Sequence, residues 1–249
     1  MSKDFLLEIG IEEMPAKFAP GAVSQIENNA KKLFEELRLE YKVLKAFVTP
    51  RRIALYVETL AERQEDISQE AKGPAQKAAF DAEGRPTKAA EGFARGQGVA
   101  VEELFIKELN GVPYVYALKS LKGEETEKLL PKLCLDLVTS LHFPKPMRWG
   151  DYEVRFARPI RWLVSLYGEQ VIPFSYVGLQ AGRTSRGHRT LGGHIRLVRP
   201  EEYLEALETA YVLADQDRRK NIIWSQIQSL AAKIGGSVAK EDRKSTRLN

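Results

Sequence analysis

The sequence contains few of the residues that form disulfides, metal centres or membrane spans. Its 249 residues include one cysteine and three histidines, so an internal disulfide is impossible and no Cys/His cluster suggests a zinc site. No apolar run approaches the ~20 residues that a membrane helix needs, and an acid follows the start too closely for a secretory signal. A lone cysteine fits a reducing compartment. We therefore expect a cytoplasmic protein that has no membrane segment and no bound metal.

Motifs for nucleotide chemistry are also missing. There is no Gly-Lys-Ser/Thr phosphate loop and no G-x-G-x-x-G after a strand, and the glycines from Gly92 to Gly98 lie on a polar connector that favours a flexible turn. Glu12 and Glu13 are adjacent, so their side chains point apart and favour a structural turn over a pair of catalytic acids. Cys134 lies among leucines at helical spacing and is expected to be a buried thiol. We predict no catalytic residue and no cofactor bound by this chain.

Arginine is concentrated between residues 144 and 189. The basic residues there are Lys145, Arg148, Arg155, Arg158, Arg161, Arg183, Arg186 and Arg189, and the acids are Asp151, Glu153 and Glu169. This local excess is larger than the formal +4 of the whole chain. Arginine suits phosphate and stacks on flat rings, and Trp149, Phe156 and Trp162 lie among these residues. The pattern favours an RNA-binding surface over a solvated face with scattered ion pairs.

Nine residues are candidates for contact with RNA. They are Arg51, Arg52, Arg148, Arg158, Arg161, Arg183, Arg186, His188 and Arg189. His188, in R-G-H-R, suits stacking or a phosphate contact better than acid–base chemistry, because no nucleophile is implied beside it. A structural histidine with satisfied hydrogen bonds is the close alternative. Successive residues of a strand face opposite sides, so at most one of Arg51 and Arg52 meets a given ligand. The other is expected to bind a carboxylate such as Glu12 or Glu13.

Apolar periodicity predicts an α+β fold with mixed sheets, packed amphipathic helices, a small inserted helical subdomain and a helical C-terminal end. Strands are predicted at 5–11, 43–48, 53–60, 105–109, 112–120, 161–167 and 171–176, and helices at 22–39, 87–95 and 124–141. Asn110-Gly111 is a strong hairpin signal. Asp215 or Asp217 is expected to cap a last helix whose apolar face is Ile223, Ile227, Leu230 and Ile234, and Gly235-Gly236 to stop it.

These elements divide the chain into five regions. Residues 1–60 form a β-α-β-β opening, 61–110 a connector with a small helical insertion, 111–198 an α+β region holding the arginine-rich segment, and 199–241 a helical pair. The last region, 242–249, reads D-R-K-S-T-R-L-N. It matches one reading frame of a common sequencing-library adapter, so we expect it to be non-native.

Seven blocks of the sequence carry a resemblance. They are L-L-E-I-G-I-E-E-M-P-A from Leu6, F-V-T-P-R-R-I-A from Phe47, K-G-P from Lys72, A-A-F-D-A-E-G-R-P-T-K-A-A-E-G-F-A-R-G-Q-G from Ala78, P-K-P-M-R-W-G from Pro144, R-F-A-R-P-I-R-W-L-V from Arg155, and A-G-R-T-S-R-G-H-R from Ala181. In order and rough spacing they resemble the N-terminal part of the β subunit of bacterial two-subunit glycyl-tRNA synthetase. The resemblance covers nearly the whole chain up to about residue 240.

The resemblance implies a role that the residues alone do not. In that family the α subunit resembles a class II synthetase core, uses ATP and carries glycine activation and transfer, whereas the β subunit mainly binds tRNA. It implies an α2β2 ligase with tRNA(Gly) and the α subunit as partners, and no aminoacylation by this stretch alone. Two roles stay open for the stretch: contact with tRNA through its arginines, or a scaffold that docks the α subunit or the rest of β, since arginine is also enriched at protein interfaces.

Overall fold

A computed structural model describes residues 2–81 and 83–238 of the chain. The chain forms two compact units. The larger joins the residues up to Glu62 to those from Glu125 onward, and the smaller is Arg63–Glu124. Helices and mostly antiparallel strands occur together, which confirms the predicted α+β class. The predicted non-native tail, 242–249, lies outside the described residues.

The strands are β1 (Lys3–Ile11), β2 (Val43–Thr49), β3 (Arg52–Leu60), β4 (Ile67–Ala75), β5 (Phe105–Leu109), β6 (Val112–Leu121), β7 (Ile160–Tyr167), β8 (Gln170–Val171), β9 (Ser175–Tyr176), β10 (Leu179–Gly182), β11 (Thr184–Arg186) and β12 (His194–Arg196). The helices are α1 (Ala19–Glu36), α2 (Gln76–Ala79), α3 (Lys88–Gln97), α4 (Thr126–Thr139), α5 (Tyr203–Thr209) and α6 (Gln216–Lys233). Short 3-10 turns occur at Ala16–Phe18, Val101–Glu103 and Pro200–Glu202.

The larger unit is built on one sheet with the strand order β2-β3-β1-β7-β10-β9, and β8 pairs with β7. Only the β10–β7 pairing among these is parallel. Strand β1 lies between β3 and β7 and is covered on both faces, which explains its nearly continuous apolar run. The predicted β-α-β-β opening is therefore present as β1, α1, β2 and β3.

Strand alternation assigns the side chains of β1 to two different cores. Phe5, Leu7 and Ile9 pack with residues of α1 and α4 on one face of the sheet. Leu6 packs on the other face with Leu207 of α5 and with side chains of β7. This second face also receives the side chain of Glu8, since it lies two residues after Leu6. A carboxylate is thus carried into a buried layer of the fold.

The smaller unit is a three-stranded sheet, β4-β6-β5, with α2 and α3. The predicted hairpin is present, and Asn110 and Gly111 have φ values of 53° and 77°, as a tight hairpin turn of this kind requires. Helix α3 is also present, with Thr87 Oγ1 accepting from Ala89 N. Strand β4 was not predicted, because its polar sequence lacks alternation and a register shift accompanies its Gly73-Pro74 pair.

Of two further segments of the larger unit, one differs from the predicted element and the other agrees with it. The single strand expected at 171–176 is replaced by β8 and β9, because Pro173 lies between them and cannot donate to a ladder. Helix α6 begins at the predicted cap Asp215, which accepts from Asp217 N at 2.9 Å, and it is followed by Gly235 with a φ of 72°. Within the described residues no side chain of α6 is buried.

Candidate nucleic-acid interface

One end of the central sheet is formed by the last residue of β1, the β2–β3 turn and the start of β7. Ile11 N donates to the Arg51 carbonyl at 2.9 Å, and Met14 N donates to the Pro50 carbonyl at 2.7 Å. These bonds hold the Pro50-Arg51 turn against the chain that leaves β1. Arg51 is therefore placed on a fixed turn at the edge of a rigid sheet.

A loop between β11 and β12, residues 187–193, is built against the end of α5. His188 N donates to the Ala210 carbonyl at 2.9 Å, and Gly187 N donates to the Gly193 carbonyl at 2.7 Å. A Cβ atom on Gly192 would lie 2.4 Å from the Ala210 carbonyl oxygen, so only glycine allows this approach. The close backbone packing fixes the position from which His188 and Arg189 project.

The turn and the loop enclose a cleft of about 370 Å³. Its lining includes Arg51, Arg52, His188, Arg189, Glu13 and Tyr211. Four of the nine predicted RNA-contact residues are thus brought together, although they are distant in sequence. Two acids at this end of the sheet already form salt bridges, Glu8 with Arg52 and Glu12 with Arg161. Within the described part of the chain, Arg51 and Arg189 have no salt bridge.

The contacts of His188, which lines the cleft, define which of its ring nitrogens accepts a hydrogen bond. Its Nδ1 lies 3.2 Å from Leu191 N and 3.3 Å from Thr190 N, and both backbone groups are donors, so Nδ1 accepts. In the neutral ring the proton is then on Nε2. The exposed side chain offers an Nε2–H donor to an acceptor such as a phosphate oxygen or a base.

The floor beside the cleft is a buried network around Glu8. Glu8 is 0% exposed and Arg52 is 1% exposed. The Glu8 carboxylate accepts from Arg52 Nη1 at 3.3 Å and from Ser185 Oγ at 2.7 Å, and also from Trp162 Nε1 and the Tyr203 hydroxyl. Loss of solvation by burial, followed by the charge of Glu8, raises the pKa of Tyr203 well above its ordinary value. Tyr203 therefore stays a hydrogen-bond donor.

This network changes the interpretation of Arg52. We expected one arginine of the Arg51-Arg52 pair to bind a carboxylate such as Glu12 or Glu13. Arg52 does bind a carboxylate, and that carboxylate is Glu8. Because Arg52 is enclosed, we leave it out of the RNA-contact surface. The signal for its partner was a single acid inside the apolar run L-L-E-I-G-I, which sequence reasoning did not use.

The same network fixes the backbone of Arg186. Arg52 Nη2 donates to the Arg186 carbonyl, and the Arg186 guanidinium carbon lies 4.9 Å from the centroid of the Trp162 ring. Gly10 makes room for that ring, since a Cβ atom there would lie 1.9 Å from it. The chain between Arg186 and Arg189 is consequently held by two contacts. Buried Arg52 binds the Arg186 carbonyl, and the end of α5 binds the backbone of His188.

Comparisons with known proteins agree with the family resemblance carried by the seven sequence blocks. A family model described as "Glycyl-tRNA synthetase beta subunit" matches residues 5–246. The chain belongs to this family. It is 60% identical over 242 residues to the glycine–tRNA ligase β subunit of Desulfitobacterium hafniense, covering 97% of this chain and 35% of that relative.

Other relatives in the family give the same coverage. Identity is 50% over 242 residues to the β subunit of Moorella thermoacetica and 48% over 239 residues to that of Bacillus subtilis, again with 35% of each relative covered. The chain thus spans about a third of the length of these glycine–tRNA ligase β subunits. The resemblance seen in the seven blocks is confirmed, and the relatives are named as components of a ligase.

The other predicted RNA-contact residues of this family member do not line the cleft. Arg183 donates to the Glu169 carbonyl at 2.9 Å and to the Leu197 carbonyl at 3.4 Å. Arg158 donates to the neighbouring Ala157 carbonyl at 2.8 Å, and Arg161 lies 3.3 Å from Glu12. Arg148 is exposed in the loop before β7. Arg183, Arg186 and Arg189 follow one another at intervals of three residues, but of these three Arg189 alone lines the cleft.

Residues with other chemistry are placed apart from the cleft. Cys134 is fully buried on α4, and burial raises the pKa of its thiol to about 12, so the predicted structural thiol is confirmed. Among residues 2–81 and 83–238 no group of three or more His, Cys, Asp and Glu side chains could hold a metal ion. No helix of the described chain is long and apolar enough to cross a membrane.

Proposed function

We propose that this chain is the tRNA-binding N-terminal region of a glycine–tRNA ligase β subunit. The observation that supports this most directly is the cleft, which combines Arg51 and Arg189, free of salt bridges within the described residues, with the outward donor of His188. A guanidinium matches two phosphate oxygens with parallel donors. Backbone hydrogen bonds at the turn and the loop hold the main chain of both arginines before a ligand arrives, which lowers the entropy lost on binding.

In this proposal the region supports ATP-dependent charging of tRNA(Gly) without carrying the chemistry. Glycine activation and transfer, and the ATP they use, are assigned to the α subunit, and this chain by itself binds no cofactor and does not aminoacylate. The assembly is an α2β2 heterotetramer in the cytoplasm. These statements go beyond the family membership itself. The relatives named as glycine–tRNA ligase β subunits are roughly three times as long as this chain, so their name describes a longer protein.

The test is a binding titration of tRNA(Gly) at several salt concentrations with the variant Arg51→Ala/Arg189→Ala. Each phosphate contact removed should reduce the slope of log K against log salt by about 0.7–0.9. The melting temperature should hold, since neither side chain is buried. The matched control is Lys31→Ala/Lys32→Ala, which removes two exposed cations of α1 and should leave the slope nearly unchanged.

A second function is favoured by a different observation. Arg183 and Arg52 use their donors within the protein, as arginines of a scaffold do, and α6 carries an exposed apolar face. A scaffold that docks the α subunit or the rest of β would leave the salt slope unchanged in the double arginine variant. In that case the double arginine variant should instead associate more weakly with the purified α subunit. That pair of results would overturn tRNA contact at the cleft and support docking.

A further inference from the structure

Tyr211 is an exposed aromatic side chain in a backbone conformation that disfavours it. It follows the last turn of α5 with a φ of 63°, in the left-handed region where glycine is usual at a helix end. Tyr211 N donates to the Glu208 carbonyl at 2.9 Å and Val212 N donates to the Leu207 carbonyl at 2.8 Å, so the helix end enforces this conformation. The side chain is 65% exposed, and its burial therefore does not compensate for the strained backbone. Strain of this kind concentrates at functional sites.

Tyr211 lines the cleft that also contains the two arginines, and it lines a neighbouring hollow with Leu191 and Ile195. The cleft volume, about 370 Å³, falls in the range of small-ligand sites, roughly 300–1,000 Å³. An aromatic face beside guanidinium groups is the combination by which proteins bind unpaired nucleotides, since the face stacks on a base and the guanidiniums contact phosphate. Bases within a duplex already stack on each other and do not offer a free face.

The remaining lining residues add polar groups that match a nucleotide. Glu13 supplies a carboxylate that can accept from a base amino group or a ribose hydroxyl, and His188 supplies the Nε2–H donor described above. Donors, an acceptor and an aromatic face thus converge on one concave surface.

We propose that this cleft holds one unstacked nucleotide of single-stranded RNA, with its base on Tyr211 and its phosphate at Arg51 and Arg189. The proposal rests on the proposed tRNA-binding function and narrows it to an unpaired position of the RNA. It explains why a bulky aromatic residue occupies a position where glycine would cost less. It also assigns Tyr211 a role in ligand binding, in contrast to residues that only stabilise the fold.

The experiment uses this chain with a short single-stranded RNA that carries a fluorescent adenine analogue, and with the same RNA in a duplex. Stacking on the ring should quench the analogue in the single strand and leave the duplex unaffected. Tyr211→Gly should weaken single-strand binding by roughly 5- to 150-fold, the range expected for one base–aromatic stack. Its melting temperature should hold or rise, because glycine adopts the left-handed region without steric cost.

Two control variants keep the test specific. Tyr211→Phe retains the aromatic face and should bind and quench as the unaltered chain does. Leu191→Ala removes a side chain that is also 65% exposed, in the loop next to Arg189 and outside the cleft lining. It should change neither single-strand binding nor the quenching.

The outcomes distinguish this proposal from the wider function. If Tyr211→Gly binds the single strand normally and the duplex competes equally, while Arg51→Ala/Arg189→Ala still weakens tRNA binding, the nucleotide site is overturned and tRNA binding stands. If the unaltered chain binds neither tRNA nor the single strand, both fail. A lowered melting temperature with weaker binding in Tyr211→Gly would assign the ring a structural role and overturn the nucleotide site. Loss of α-subunit association alone would overturn it in favour of a protein partner.

Discussion

At the scale of single residues, the buried carboxylate of Glu8 connects the core to the candidate site. Moving a charged pair out of water is costly, and the pair persists because every neighbour supplies a hydrogen bond. Arg52, Ser185, Trp162 and Tyr203 all direct donors at Glu8. These partners come from β3, β11, β7 and α5, so one side chain links four separate elements. Its charge therefore affects both stability and the loop that carries Arg189.

We predict that Glu8→Gln destabilises the larger unit strongly. The substitution keeps the shape but leaves the Arg52 guanidinium buried without a carboxylate, and breaking a buried pair in this way costs about 3–5 kcal/mol. Urea unfolding monitored by tryptophan fluorescence measures the free energy of unfolding. Tryptophan is a suitable probe because Trp162 lies in the network itself.

The double variant Glu8→Gln/Arg52→Met is the control for this prediction. It removes both charges, so it should be less destabilised than Glu8→Gln alone. With Arg52→Met measured as well, the departure of the double variant from the sum of the two single losses gives the coupling between the side chains. A single variant as stable as the unaltered chain would show that the ion pair does not support the fold. If the loss of stability in the double variant equals the sum of the losses in the two single variants, Glu8 and Arg52 do not stabilise each other.

Residue roles were predictable from sequence only where a local rule decides them. Asn110-Gly111 as a turn, Asp215 as a helix cap and Cys134 as a buried thiol each depend on neighbours within a few positions. The burial of Arg52 depends on Ser185 and Tyr203, which are far away in sequence. Charge clustering in the sequence indicated an interface but could not show which arginines are enclosed.

At the scale of elements, α6 is anchored at its first turn and exposed beyond it. Gln216 Nε2 donates to the Ala46 carbonyl at 2.9 Å, and Arg219 Nη2 donates to the Val48 carbonyl at 3.2 Å. Further along the helix, Leu230 is 62% exposed. The sequence pattern correctly identified an apolar face on this helix. A pattern of this kind cannot show whether the face is packed within the described residues.

We predict that Leu230→Ser changes the free energy of unfolding of this chain by less than about 0.5 kcal/mol, because exposed substitutions rarely cost more. The matched comparison is Ile26→Ala on α1, a fully buried aliphatic residue on a helix of the same length. That variant should cost about 2–5 kcal/mol. A loss near 1 kcal/mol or more for Leu230→Ser would mean that α6 packs against a surface in solution. Thermal unfolding at several protein concentrations would then show whether that surface is a second copy.

At the scale of the whole molecule, local sequence patterns were enough to predict β1, α1, β2 and β3. They were not enough to predict the elements that cover the other face of the central sheet. The 18-residue helix α1 and the long strands β1 and β3 show clear periods, and their types and approximate bounds were predictable. The second face depends on α5, with seven residues, and on β11 and β12, with three residues each. Elements this short contain too few residues to show a period, so the cleft they complete could not be predicted.

The described structure also predicts that the smaller unit, Arg63–Glu124, can be removed without loss of the candidate site. The two segments of the larger unit that flank residues 63–124 are bonded to each other, because Thr126 N donates to the Glu62 carbonyl at 2.8 Å. The cleft lining lies entirely in the larger unit. Replacing residues 63–124 by a short Gly-Ser linker should therefore preserve the melting temperature of the larger unit, the affinity for tRNA and the salt slope.

Each result of that deletion has a distinct physical meaning. If the shortened chain melts normally but its salt slope falls by about one per lost contact, cations of the smaller unit contact phosphate, and exposed Lys107 is the first candidate even though it pairs with Glu70 at 2.6 Å. If the shortened chain does not fold, the Glu62–Thr126 closure is insufficient without the insertion. An unchanged slope in the deletion, together with a reduced slope in Arg51→Ala/Arg189→Ala, would locate the phosphate contacts at the end of the central sheet.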